Sequence, residues 1–201
     1  MNLPNSLTLV RMFLVPLLVV VLLTEFEGRQ IFGIAKELAG AAIFALASVT
    51  DWLDGWIARA YNQSSAFGAF LDPVADKLMV AVALLLIVQK HPTPWMALWA
   101  AVIIGREIAV SALREWMAEL GQRAKVKVAS IGKIKTIVQM VALTFLLYFE
   151  PLQFAVAGRT WTVPVFMIGD WMLAVAALLT LWSGLAYLHA AWPTLREDAG
   201  S

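Results

Sequence analysis

Six apolar stretches, each long enough to cross ~30 Å of hydrocarbon as a helix of about 20 residues, constrain this chain more than any other feature. They lie near 7–24, 38–59, 67–89, 95–118, 131–149 and 166–190. Polar or Pro- and Gly-containing breaks separate them: Glu25 to Gln30, Tyr61 to Ser65, His91 to Pro94, Gly121 to Lys127, and Pro151 to Pro164. Composition agrees. Of the 201 residues 61% are hydrophobic and 14% charged, with a mean hydropathy of +0.79, whereas soluble domains run at roughly 45–50% apolar and about 25% charged. The expected fold is an all-α integral membrane protein, with about six transmembrane helices in one bundle and a single domain over 1–201. No sequence repeat, low-complexity tract or second-domain linker is visible. The first apolar run is about twice as long as a signal-peptide core and no small-residue cleavage site follows it, so it is expected to be the first transmembrane helix.

Orientation follows from lysine and arginine, which accumulate on the cytoplasmic side. With the N-terminus inside, the inner connections and their flanks hold Arg59, Arg114, Arg123, Lys125, Lys127, Lys133, Lys135 and Arg196, and the outer ones only Arg29, Lys36, Lys90 and Arg159. Both termini are therefore expected in the cytoplasm. Trp52, Trp56, Trp116 and Trp192 then fall towards the inner interface, and Trp95, Trp99, Trp161 and Trp171 towards the outer, as interfacial anchors do. The net charge of +1 carries little information. Cysteine is absent, which excludes disulfides, thiol nucleophiles and thiolate-bound metals.

Into this apolar frame the stretch from Asp51 to Asp76 places four carboxylates: Asp51, Asp54, Asp72 and Asp76. An ionised carboxylate at the bilayer centre costs roughly 2.5–3.5 kcal/mol even on lenient insertion scales, so four within 26 residues need neutralising. Spacings of three and four put each pair on one helix face, and a short turn between the second and third helices can bring the faces together. Small residues, Gly55, Ala58 and Gly68, share these stretches and allow close approach of a helix or ligand. Four oxygen ligands without Cys or His suit Mg²⁺ or Mn²⁺ rather than Zn²⁺. Two such ions about 3.5–4 Å apart form the clamp used in phosphoryl transfer. Arg59, one turn beyond Gly55, is placed to pair with phosphate oxygens.

The string Asp51-x-x-Asp54-Gly55-x-x-Ala58-Arg59, eight residues, Gly68, three residues, Asp72, three residues, Asp76 resembles in full the signature of the CDP-alcohol phosphotransferases, which transfer a substituted phosphate from a CDP-linked donor to an alcohol and release CMP. The resemblance implies that Asp51 and Asp72 bridge two Mg²⁺ or Mn²⁺ ions, that Asp54 holds the first and Asp76 the second, and that Asp76 is also the general base. It implies a CDP-donor site formed by Gly55, Ala58, Arg59, Ser65 and Gly68. Asn5 and Thr8, an Asn-x-x-Thr pattern entering the first helix, would either touch the nucleotide or cap that helix.

The wider text around these motifs, including Phe67 to Lys77 and Arg106 to Gly121, resembles bacterial members that use CDP-diacylglycerol as donor and sn-glycerol 3-phosphate as acceptor. That implies a multi-pass protein of the bacterial cytoplasmic (inner) membrane, with its active site facing the cytoplasm, in contact with membrane lipid, and a homodimer. No nucleic-acid partner is expected. Arg106, Arg114, Lys133 and Lys135, on the cytoplasmic halves of the fourth and fifth helices, are the candidates to bind the acceptor's phosphate. Arg106 and Glu107 fall near the middle of an apolar run, where ionisable residues mark functional sites. Arg123, Lys125 and Lys127 suit positive-inside determinants or lipid headgroups. Arg11, a turn into the first helix, is expected to snorkel, and His91, His189 and Asp170 to be solvated at helix ends or loops. Two rivals stand beside this reading: the same chemistry on serine or inositol phosphate, and a cation-coupled transporter. The transporter fits less well, because the carboxylates cluster near one face and no repeat is visible.

Overall fold

The computed structural model describes residues 3–24, 30–31, 34–61, 66–120, 131–156 and 159–198, and side chains within 8–24, 34–53, 71–120, 134–155 and 159–193. Six helices account for most of it: α1 Leu3–Leu23, α2 Lys36–Tyr61, α3 Ala66–Lys90, α4 Pro94–Glu119, α5 Ile131–Tyr148 and α6 Val165–Asp198. Each coincides with one of the six apolar stretches, since a helix satisfies its backbone within one segment. Their ends are set locally. Thr93 caps α4 by accepting from the Met96 amide at 3.2 Å, with Pro94 in the first turn, where a missing N–H costs nothing. The last helix runs beyond the expected 190 to Asp198, through a polar segment that no longer needs lipid.

The architecture is consistent with the expected all-α class, and two short hairpins join the helices. β1 (Gln30–Ile31) pairs antiparallel with β2 (Ile34–Ala35), and β3 (Leu152–Val156) with β4 (Arg159–Val163), in a register that sets Leu152 opposite Val163 and Phe154 opposite Trp161. The second hairpin occupies the break expected between Pro151 and Pro164. Its β-branched and aromatic residues, bounded by prolines, favour extended pairing over helix.

α1 packs on α2 and α3, α2 on α5, α4 on α3 and α6, and α5 on α6. The shared core holds Leu18, Phe44, Met79, Leu84, Ile103, Leu143 and Leu173, all nearly fully buried. Small residues stand at the tightest crossings, where they let helix backbones approach closely. A Cβ on Gly40 of α2 would stand 2.6 Å from Leu22 Cδ2 of α1, and one on Gly169 of α6 3.0 Å from Leu146 Cγ of α5 and 3.1 Å from the Ala142 carbonyl oxygen.

Among the described residues two helices, Pro94–Glu119 and the Val165–Pro193 part of α6, are long and apolar enough to cross a membrane. Large apolar side chains including Phe13, Val20, Leu85, Ile108, Ile137, Leu178 and Leu185 are exposed on the helices, more than a water-facing surface tolerates. At the end holding the starts of α2, α4 and α6, Lys90 pairs with the buried Glu37 at 3.0 Å and lies over the Phe149 ring. His91, Phe149 and Phe166 meet edge-to-face there. Trp95, Trp161 and Trp171 are exposed towards this end, Trp52 and Trp192 towards the other, and Trp182 along α6.

Candidate active site

The opposite end of the bundle gathers the start of α1, the end of α2 and the start of α3. Asp51 of α2 forms an ion pair with Arg11 of α1 at 2.5 Å, and Thr8, one turn earlier on α1, donates to Asp72 Oδ1 of α3 at 2.6 Å. Asp51 also interacts with Asp72 and Asp76, and Asp76 with Asp51, Asp72 and Arg11. Three of the four carboxylates singled out from spacing therefore converge, although they come from two helices. Pro73, directly after Asp72, withholds the backbone donor that would bond back one turn and loosens α3 beside the cluster.

A second group of charges adjoins the first. Glu107 of α4 accepts from Arg106 Nη1 and from Lys135 Nζ of α5, each at 2.9 Å. Lys135 is 3% exposed and lies within electrostatic reach of Arg106 and Arg114, and Glu107 acts in turn on Asp76. Two of the four cations expected on α4 and α5, Arg106 and Lys135, thus meet around one carboxylate, with Arg114 acting on Lys135. They are not equally free. Arg106 also donates Nη2 to Ser183 Oγ of α6 at 3.0 Å and lies 5.9 Å from the Tyr187 ring, so it faces the α4–α6 seam. Arg114 borders a cleft of about 390 Å³ between α3 and α4, lined also by Pro73, Lys77, Ser111 and Glu115.

Several expected residues lie outside the described side chains. Asp54, Gly55, Ala58 and Arg59 are placed only as backbone of α2, Gly68 of α3, Asn5 of α1 and Lys133 of α5, while Ser65 lies outside the described residues altogether. Thr8 lies inside α1 rather than capping it, because that helix begins at Leu3. Arg11 was expected to snorkel and instead is 0% exposed against Asp51; a carboxylate from another helix gives the guanidinium a better partner than the interface does. Sequence reasoning also passed over Lys77, whose only signal was its place one residue after Asp76.

Among the described residues no three His, Asp or Glu side chains stand in metal-ligand geometry, the Asp54 side chain being outside that set. The chemistry of the site nonetheless suits a hard cation. Asp76 Oδ1 is buried without a hydrogen-bond partner among the described residues while the charges of Asp51, Glu107 and Asp72, partly offset by Arg11, bear on Asp76. A buried carboxylate oxygen so placed needs a positive partner, and a set of oxygens alone suits a hard divalent ion.

Comparison with known proteins matches this arrangement. The sequence profile described as CDP-alcohol phosphatidyltransferase covers residues 1–188. A Pseudomonas fluorescens protein named CDP-diacylglycerol–glycerol-3-phosphate 3-phosphatidyltransferase is 48% identical over 199 residues, covering 98% of this chain and 94% of the relative. Proteins of the same name from Salmonella choleraesuis (strain SC-B67) and Shigella flexneri are each 48% identical, over 190 and 197 residues, covering 94% and 98% of both partners. Divalent-metal dependence is general in this family. With the profile spanning the apolar helices and both charged clusters, the chain belongs to the CDP-alcohol phosphatidyltransferase family.

Proposed function

We propose that this chain, as one domain over 1–201, transfers the phosphatidyl group of CDP-diacylglycerol to sn-glycerol 3-phosphate and releases CMP. The observation that carries this reading is the juxtaposition of the two charged groups: carboxylates Asp51, Asp72 and Asp76 beside Glu107, which holds Arg106 and Lys135, with Arg114 acting on Lys135. An anionic acceptor needs the second group, and the proton it gives up needs the first.

Asp51, Asp54, Asp72 and Asp76 would hold two divalent cations, Mg²⁺ or Mn²⁺, which supply charge neutralisation to the donor's pyrophosphate. Asn5, Thr8, Gly55, Ala58, Arg59, Ser65 and Gly68 line the donor side, with Arg59 as a guanidinium fork for phosphate. Arg114, Lys133 and Lys135 hold the acceptor's phosphate, and Arg106 supports them from the α4–α6 seam. Asp76 accepts the proton of the acceptor hydroxyl as that oxygen bonds to the phosphorus next to diacylglycerol. The bond from that phosphorus to the CMP oxygen breaks, and CMP leaves with the electron pair. No side chain suggests a covalent phosphoenzyme, so displacement is direct. The site lies at the end holding both termini, which we assign to the cytoplasmic face of the bacterial inner membrane, in a homodimer.

Purified protein given CDP-diacylglycerol should release CMP with sn-glycerol 3-phosphate and not with serine or inositol phosphate. Turnover on either alternative at the glycerol 3-phosphate rate would reassign the acceptor, and absence of CMP release with every acceptor would sink the enzyme reading in favour of transport. Within the site, Arg114→Ala and Lys135→Ala should raise the apparent KM for glycerol 3-phosphate by roughly ten- to a hundredfold, since hydrogen bonds to charged groups contribute about 1.5–3 kcal/mol. Donor affinity should hardly change, whereas Arg59→Ala should weaken the donor and spare the acceptor. Titrating each substrate with metal saturating distinguishes these, and basic variants that alter donor affinity alone would move the acceptor pocket elsewhere.

A further inference from the structure

Thr8 and Arg11 stand three residues apart on α1 and so share a helix face. That face reaches both helices of the carboxylate cluster: Thr8 meets Asp72 of α3, and Arg11 meets Asp51 of α2. Arg11 has no exposed side-chain surface and brings its guanidinium into the cluster. A buried guanidinium needs compensating carboxylates, and here it interacts with Asp51 and Asp76, two of the residues assigned to cations above. The proposed reaction gives Arg11 no part. The structure therefore places a positive charge where the carboxylates would receive their ions.

We propose, building on the cation reading of the aspartates, that Arg11 is a resident counter-cation of the cluster, competing with divalent ions for Asp51 and thereby setting their affinity. The Asp51 oxygen that pairs with the guanidinium is one a cation would use. An arriving ion must share that oxygen and meet a fixed positive charge beside it. In exchange, Arg11 keeps the clustered carboxylates from repelling one another when no ion is bound, which would otherwise splay α2 from α3. A charge with this role lowers affinity for the ion and raises the stability of the ion-free protein.

The test uses the full chain in detergent, stripped with chelator and titrated with Mg²⁺ and separately Mn²⁺ by calorimetry, with thermal unfolding followed in parallel. Arg11→Gln should bind Mg²⁺ tighter by roughly tenfold or more, the scale of one lost charge-assisted contact, and should melt at lower temperature than wild type in chelator. Arg11→Lys, which keeps the charge, should stay close to wild type in both. Unchanged or weaker Mg²⁺ binding in Arg11→Gln would overturn the proposal and make Arg11 a mere anchor for Asp51. If Arg11→Gln does not survive without metal, the variant purified in Mn²⁺ should release it into excess chelator more slowly than wild type, and faster release would equally overturn the proposal. Wild-type protein that binds neither ion would instead overturn the cation reading of the aspartates on which this rests.

Discussion

Asp76→Asn should lower kcat by about a hundred- to ten-thousandfold, the range for loss of a positioned general base, while the protein stays folded in the membrane. The substitution keeps the side chain's shape and removes both its charge and its capacity to take a proton. Its position makes the expectation specific. Asp76 sits between the carboxylates of α2 and α3 and the Glu107 group of α4, with one oxygen buried and unpaired among the described residues. Glu150→Gln, exposed at the far end of the bundle, serves as the control and should leave CMP release unchanged. A kcat for Asp76→Asn within tenfold of wild type, measured as CMP release at saturating substrates, would remove Asp76 from the role of base.

Excess chelator should abolish CMP release, and added Mg²⁺ or Mn²⁺ should restore it where Na⁺ or K⁺ does not. The argument is electrostatic. Two unit charges 4 Å apart at a protein boundary repel by about 4 kcal/mol, and Asp51, Asp72 and Asp76 interact mutually. Among the described residues Arg11 is the cation paired directly with this cluster, and the repulsion left among the carboxylates is what divalent cations would relieve. Because only the folded cluster binds them well, the same ions should raise the melting temperature as their concentration passes the dissociation constant. Full activity in excess chelator would sink the metal account, and a melting temperature indifferent to Mg²⁺ would count against these residues as its ligands. The two readouts are independent, since one follows turnover and the other follows occupancy.

Much of the architecture was legible because it is local. The length of each apolar stretch named a helix, and Ala66–Lys90 or Pro94–Glu119 needed no partner to be recognised. The three- and four-residue spacings of Asp51, Asp54, Asp72 and Asp76 gave faces, since helical period is a property of one segment. The hairpin at Leu152–Val163 was missed because so short a run of β-formers between prolines reads equally as a loop. Which helix face meets which is another kind of information. Arg11 looked like a snorkelling residue from its place near a helix end, and only the packing of α1 against both α2 and α3 turned it inward to Asp51. Glu107 stood out as a charge in an apolar run, yet its role as the joint between Lys135 and Asp76 depends on α3, α4 and α5 meeting at one level. Sequence by itself determined the helices, the carboxylate faces and the family signature, because each is written within one or two adjacent segments. The pairing of those faces with Arg11, Thr8, Glu107 and Lys135 was decided by tertiary structure, because polar side chains 28 to 64 positions apart acquire partners only when packing brings their helices together.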